Sequence, residues 1–241
     1  MWMMHFINSA VWSWNGSAPS LDELRESFFT SYYGRSSSDI RELYTLLNEG
    51  VYYYAGTMER NVWHYGEIGK THLPDLPRGD ALEYDPYWNT EYKAKIAESQ
   101  DILAKMDRAL QIIEENTKSE ADHTYDFDVF RTTAELVKHT CLTYIDLSNL
   151  EYTVREAHRN RFVDTQKALE SLLKAQDIVS NIIRRREAVF SDLVRTYEET
   201  RLPKGLSTSE KQFFWQQDRA RHFAFRRPDM TFLIYDEELL D

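Results

Sequence analysis

Three long stretches of this chain repeat their apolar residues every three or four positions, the spacing that lines one face of an α-helix. From about residue 90 to 117 the stripe is Ile96, Ile102, Leu103, Met106, Leu110 and Ile113; from about 123 to 158 it includes Phe130, Val137, Cys141, Tyr144 and Leu147. From about 161 to 200 it runs through Leu169, Leu172, Leu173, Ile178, Val179, Ile182, Ile183, Val189, Phe190, Leu193 and Tyr197. A helix gains stability by covering such a stripe, so the three are expected to lie against one another as an antiparallel bundle.

Two shorter helical patterns precede them. Ser20 and Glu23 have capping-box spacing ahead of Leu21, Leu24, Phe28 and Tyr32, which share a face until Gly34 stops it. Serines 36 to 38 with Asp39 offer a second start, followed by Ile40, Leu43, Leu46 and Leu47. Ahead of both, residues 5 to 14, "HFINSAVWSW", mix aromatic and β-branched types and favour an extended strand ended by Asn15-Gly16. Residues 57 to 89 form a long aromatic-rich connection holding Pro74, Pro77, Pro86, Trp63, Tyr65, Tyr84, Tyr87 and Trp88. After Pro203 and Gly205, Ser207 with Glu210 repeats the capping-box spacing, and "MTFLIYDEELLD" reads as an extended C-terminal segment.

Composition narrows the classes. The 241 residues are 42% hydrophobic, enough to bury a real core. A formal charge of −11 argues against nucleic acid and against an anionic membrane surface as partners, since both need a dense basic face. Cys141 is the only cysteine, which excludes an internal disulfide and a cysteine-built zinc site within the chain. No run approaches the roughly 20 apolar residues of a membrane span, and the amino end lacks the layout of a signal peptide. The expected compartment is the cytoplasm.

Chemical candidates are few. The seven histidines form no pair at i, i+4 spacing, so neither a metal site nor a cofactor is expected. His139 and Cys141 are two apart and face different sides of a helix, the arrangement of a packed cysteine rather than of a nucleophilic pair. Asp22-Glu23 falls in the first turn of a helix, where acids meet the macrodipole, and Glu237-Glu238 reads as a solvated tail. Arg184, Arg185 and Arg186, with Arg219, Arg221, Arg226 and Arg227, either pair with acids on helix faces or bind a carboxylate or phosphate. Tyr52 to Tyr54, Trp63, Tyr65 and Trp88 either stack on sugar rings or pack the long connection on the bundle.

The stretch "SAVWSWNGSAPSLDELRESF" resembles the end of the catalytic barrel in hexosaminidase-like glycoside hydrolases of families 20 and 84, and "RTYEETRLPKGLS" is similar to the segment ending the helical region of bacterial family 20 homologues. The resemblance implies that residues 1–35 are the last strand and helix of a (β/α)8 barrel, and that 36–241 form the α-helical domain packed on it. It implies that Trp12 walls the sugar pocket and that Trp14 and Asn15 stand for the Trp-Asn pair of family 84. Trp14 also occupies the place where family 20 usually has a glutamate. The adjacent catalytic carboxylates of these families lie upstream of the last strand, so the chain is expected to carry none and to be inactive alone.

The expected class is therefore mainly α: an antiparallel bundle with a short strand-helix barrel remnant. The expected function is the C-terminal helical portion of a β-N-acetylhexosaminidase-like hydrolase. Its implied partners are the rest of the barrel and, through it, carbohydrate, with Trp12, Trp14, Asn15, Trp63, Tyr65 and Trp88 as substrate-binding candidates. The alternatives are a carbohydrate-binding module and a helical protein-interaction module.

Overall fold

A computed structural model of the chain describes residues 9–14, 19–33, 38–57, 72–78, 82–117 and 124–200, and every regular element among them is a helix. These are α1 (residues 9–14), α2 (Leu21–Tyr33), α3 (Ser38–Ala55), α4 (Trp88–Glu91), α5 (Lys93–Thr117), α6 (Thr124–Asn160) and α7 (Thr165–Glu198).

The expected strand at 5–14 is not there where the chain is described: residues 9–14 are helical, and Ser13 Oγ donates to the Ser9 carbonyl at 2.6 Å. A strand with nothing to pair with leaves its N–H and C=O groups open, whereas a helical turn bonds them internally. No strand and no barrel occur among the described residues. Asn15 and the segments 201–241 and 58–71 lie outside those residues, and with them the second capping box, the extended carboxyl end, Trp63 and Tyr65.

The first capping box forms. Ser20 donates its backbone N–H to Glu23 Oε2 at 2.8 Å, and the Glu23 N–H donates back to Ser20 Oγ at 3.3 Å. The inner face of α2 is turned from the expected line: Leu24 and Phe28 are buried, but Phe29 and Tyr33 join them while Leu21 stays exposed. Aromatic bulk decides the rotation, since Phe29 and Tyr33 meet the Tyr44 ring edge-on.

The main core is built from α2, α3, α5 and α6, with Leu43, Leu47, Met106, Ile112, Phe127, Val137 and Cys141 fully enclosed. At Gly50 α3 runs close to α5: a Cβ there would sit 2.7 Å from Met106 Cε and 2.9 Å from its Sδ. A second cluster gathers Trp88, Tyr144, Leu147, Leu150 and Val154 against Ala175, Ile178 and Ile182 of α7. The chain passes from α6 to α7 through residues 161–164, where Asp164 caps α7 by accepting the Lys167 N–H at 3.0 Å. The extensive contact of α7 is with α6.

Candidate functional site

The polar chemistry concentrates where α6 meets α7. Thr132, His139, Asp146 and Thr153 recur every seven residues along α6, so they share one face, and the packing of α7 brings its own polar residues onto the first three. Arg131 reaches both oxygens of Asp192, at 2.9 and 3.3 Å, and the Thr132 hydroxyl donates to the same carboxylate at 3.1 Å. Burial pushes the Asp192 carboxyl up, but the hydrogen bonds from Arg131, Arg195 and Thr132 outweigh it and hold the group below the ordinary value. Tyr125, at the start of α6, meets the Thr200 hydroxyl at 2.8 Å beyond the end of α7.

The middle of the seam is the most constrained. Arg185 donates from Nη2 to Asp146 at 2.7 Å and from Nε to His139 Nδ1 at 3.1 Å. Because Nδ1 accepts, the proton of the neutral imidazole sits on Nε2, which is buried with no hydrogen-bond partner among the described residues. Desolvation, then the charges of Arg185 and Arg186, lower the His139 pKa to about 3, so the ring is neutral at physiological pH. Arg186 lies over the Phe190 ring at 4.7 Å. The arginine run thus divides between α6 and α7 themselves: Arg185 pairs with Asp146, and Arg184 bonds Asn181 on the surface.

His139 and Cys141 do face different sides. Cys141 points into the main core toward Tyr53, and burial pushes its thiol up to about 12, which keeps it protonated and inert. Tyr53, Tyr33 and Tyr44 are shifted upward by the same desolvation, and each phenol is held by a neighbour inside the core: Tyr53 on Ser99 at 2.7 Å, Tyr33 on Tyr44 at 3.0 Å. Among the described residues no group of three or more His, Cys, Asp or Glu is placed to hold a metal, and no helix is long and apolar enough to cross a membrane.

The aromatic candidates do not share a surface. Trp14 is 93% exposed and Trp12 52%, whereas Trp88 is 2% exposed at the centre of the second cluster. Trp88 donates Nε1 to the His72 carbonyl at 2.7 Å and its backbone N–H to Glu151 Oε1 at 2.7 Å, and the Asn89 N–H completes the clasp on Glu151 Oε2 at 3.0 Å. Glu151, itself buried, is therefore the anchor of the long connection on α6. Tyr84 belongs to the same fixture, donating to the Asp75 carbonyl at 2.6 Å. What the described part of this connection offers is packing, with both faces of the Trp88 indole enclosed.

No family model, curated protein or solved structure matches this chain.

The surface feature that stands out lies on α7. Ala168 and Ala175, outside the expected stripe, are buried, and of its eleven residues Tyr197 is exposed at the carboxyl end, Val189 is buried and Ile178, Ile182, Phe190 and Leu193 are partly so. Leu169, Leu172, Leu173, Val179 and Ile183 are not: their exposure runs from 40% at Val179 to 53% at Leu172. Periodicity alone places the eleven in one wide band. The helix carries two neighbouring apolar faces, and α6 covers one.

Proposed function

We propose that the chain is a helical protein-interaction module, with its long helices in antiparallel order and the outer face of α7 as its binding surface. The observation that carries this reading is the stripe Leu169, Leu172, Leu173, Val179 and Ile183, and Phe162 and Val163 in the connection before α7 are exposed as well. Contiguous apolar surface is unfavourable in water at about 25 cal/mol per Å2, and a monomer that keeps such a patch generally uses it for contact. The strongly perturbed groups, His139, Cys141 and the core tyrosines, are enclosed by packing and serve the interior instead.

The hydrolase reading drew its weight from an unpaired strand, and with residues 9–14 helical it has no structural observation to carry it. The sugar-stacking alternative loses Trp88 to the core in the same way.

Footprinting tests the interaction reading. In the full chain diluted until its solution mass is that of one copy, carbene labelling should modify Leu169, Leu172 and Leu173 well above enclosed leucines such as Leu43 and Leu47. Protection of these residues in the monomer would mean that the chain covers its own stripe, and the reading would fall.

A further inference from the structure

The exposed stripe has a polarity of charge that selects its partner. At about 100° per residue, Leu169, Leu173, Gln176, Ser180 and Ile183 follow one line along α7, and Leu172 and Val179 fill the side nearer α6. On the edge away from α6 stand Glu170, Asp177 and Arg184, one every seven residues. The stripe from Leu169 to Ile183 spans about 21 Å, four turns, with Gln176 at its centre.

Resting on the interaction reading above, we infer that the partner of this face is a second copy of the same chain, paired α7 to α7 in antiparallel orientation about a twofold axis near Gln176. The stripe is complementary to itself in that orientation. Leu169 and Leu172 of one copy meet Ile183 and Val179 of the other, Leu173 fills the space beside Val179 and Ser180, and the two Gln176 amides can donate to and accept from each other. The edge charges fix the direction. Antiparallel pairing brings Glu170 beside Arg184 of the second copy, twice by symmetry, and leaves one like pair, Asp177 with its twin. Parallel pairing about a twofold would put the two charged edges on opposite sides of the seam, each beside the apolar Leu172 and Val179 edge of the other copy, and neither Glu170–Arg184 pair would form. Within one copy these side chains have only local bonds: Glu170 accepts from Gln166 Nε2 at 2.9 Å, and Arg184 reaches Asn181 one turn back. They are free to be exchanged without disturbing the bundle.

Sedimentation equilibrium of the full chain over a wide concentration range tests this. The expected result is a reversible rise from 28.6 kDa to twice that mass. Leu173→Glu should hold the chain at one copy with its helical circular dichroism intact. Glu170→Arg and Arg184→Glu should each weaken the dimer about threefold to tenfold, and the double exchange should restore it, because the pair is then rebuilt with its signs reversed. Asp177→Asn should tighten it. A chain that stays at 28.6 kDa at every concentration, with its stripe still open to labelling, overturns the second copy as partner while the interaction face stands. A single-copy chain with the stripe protected overturns both. A dimer that the double exchange fails to restore overturns the antiparallel arrangement.

Discussion

His139 shows how a single side chain ties this fold to pH. Its pKa falls from 6.5 to about 3, by desolvation first and then by Arg185 and Arg186, while Asp146 faces the same cluster from α6. Below pH 6.5 the unfolded chain therefore binds a proton that the folded chain refuses, and stability must fall as the solution is acidified. From this residue alone the loss is about 2 kcal/mol at pH 5, growing until pH approaches 3. Thermal melts between pH 7 and pH 4 should show the wild type losing more stability than His139→Gln, whose amide can still accept from Arg185 but takes up no proton. Equal acid slopes for the two proteins would refute the assignment.

Glu151 belongs to the scale of elements, because it fastens one to another. Its two oxygens accept the first N–H groups of α4 and so hold the connection that ends at Trp88 against α6. Glu151→Ala leaves two backbone donors buried without acceptors and should cost about 2 to 4 kcal/mol in urea unfolding. Glu151→Gln, with one oxygen still accepting, should recover part of that. Such ties decide how much the sequence discloses. The long helices were legible from apolar spacing to within a few residues, and the capping box at Ser20 formed as its residue types require. The strand expected at residues 5–14 gives way to helix over the described 9–14: aromatic and β-branched composition speaks of strand, while a lone segment is settled by its need to bond its own backbone. The polar seam was missed although Thr132, His139, Asp146 and Thr153 keep a seven-residue spacing that was there to be read. The partners of Thr132, His139 and Asp146 lie dozens of residues away, so pattern alone marks the face and packing supplies the mates. The division of the α7 stripe into a covered and an open half was illegible for the same reason, since eleven apolar residues look alike until one neighbour has taken its side.

For the whole molecule the decisive quantity is the −11 charge carried by each copy. Two such chains repel at long range, while the proposed contact works at short range through apolar area and the Glu170–Arg184 pairs. Raising ionic strength from about 10 mM to about 150 mM shortens the screening distance from about 30 Å to about 8 Å and should tighten the dimer. Weakening over that range, measured by sedimentation, would mean that local ion pairs dominate and that apolar area contributes little.

The missing side chain at Gly50 reaches further than helix spacing. It leaves the thioether of Met106 wedged against bare backbone, sealed from solvent. In the native protein an oxidant has no path to that sulfur. Once the chain has been opened, conversion to the sulfoxide adds a polar oxygen where there is neither room nor a donor to receive it. Peroxide applied during unfolding should therefore leave a fraction that cannot regain its compact form, and mass spectrometry should find Met106 oxidised in that fraction and intact in the material that recovers. A reducing repair enzyme acting on the opened chain should return it to the folded pool, so that one absent methyl group makes the history of a single sulfur atom part of the protein's lifespan.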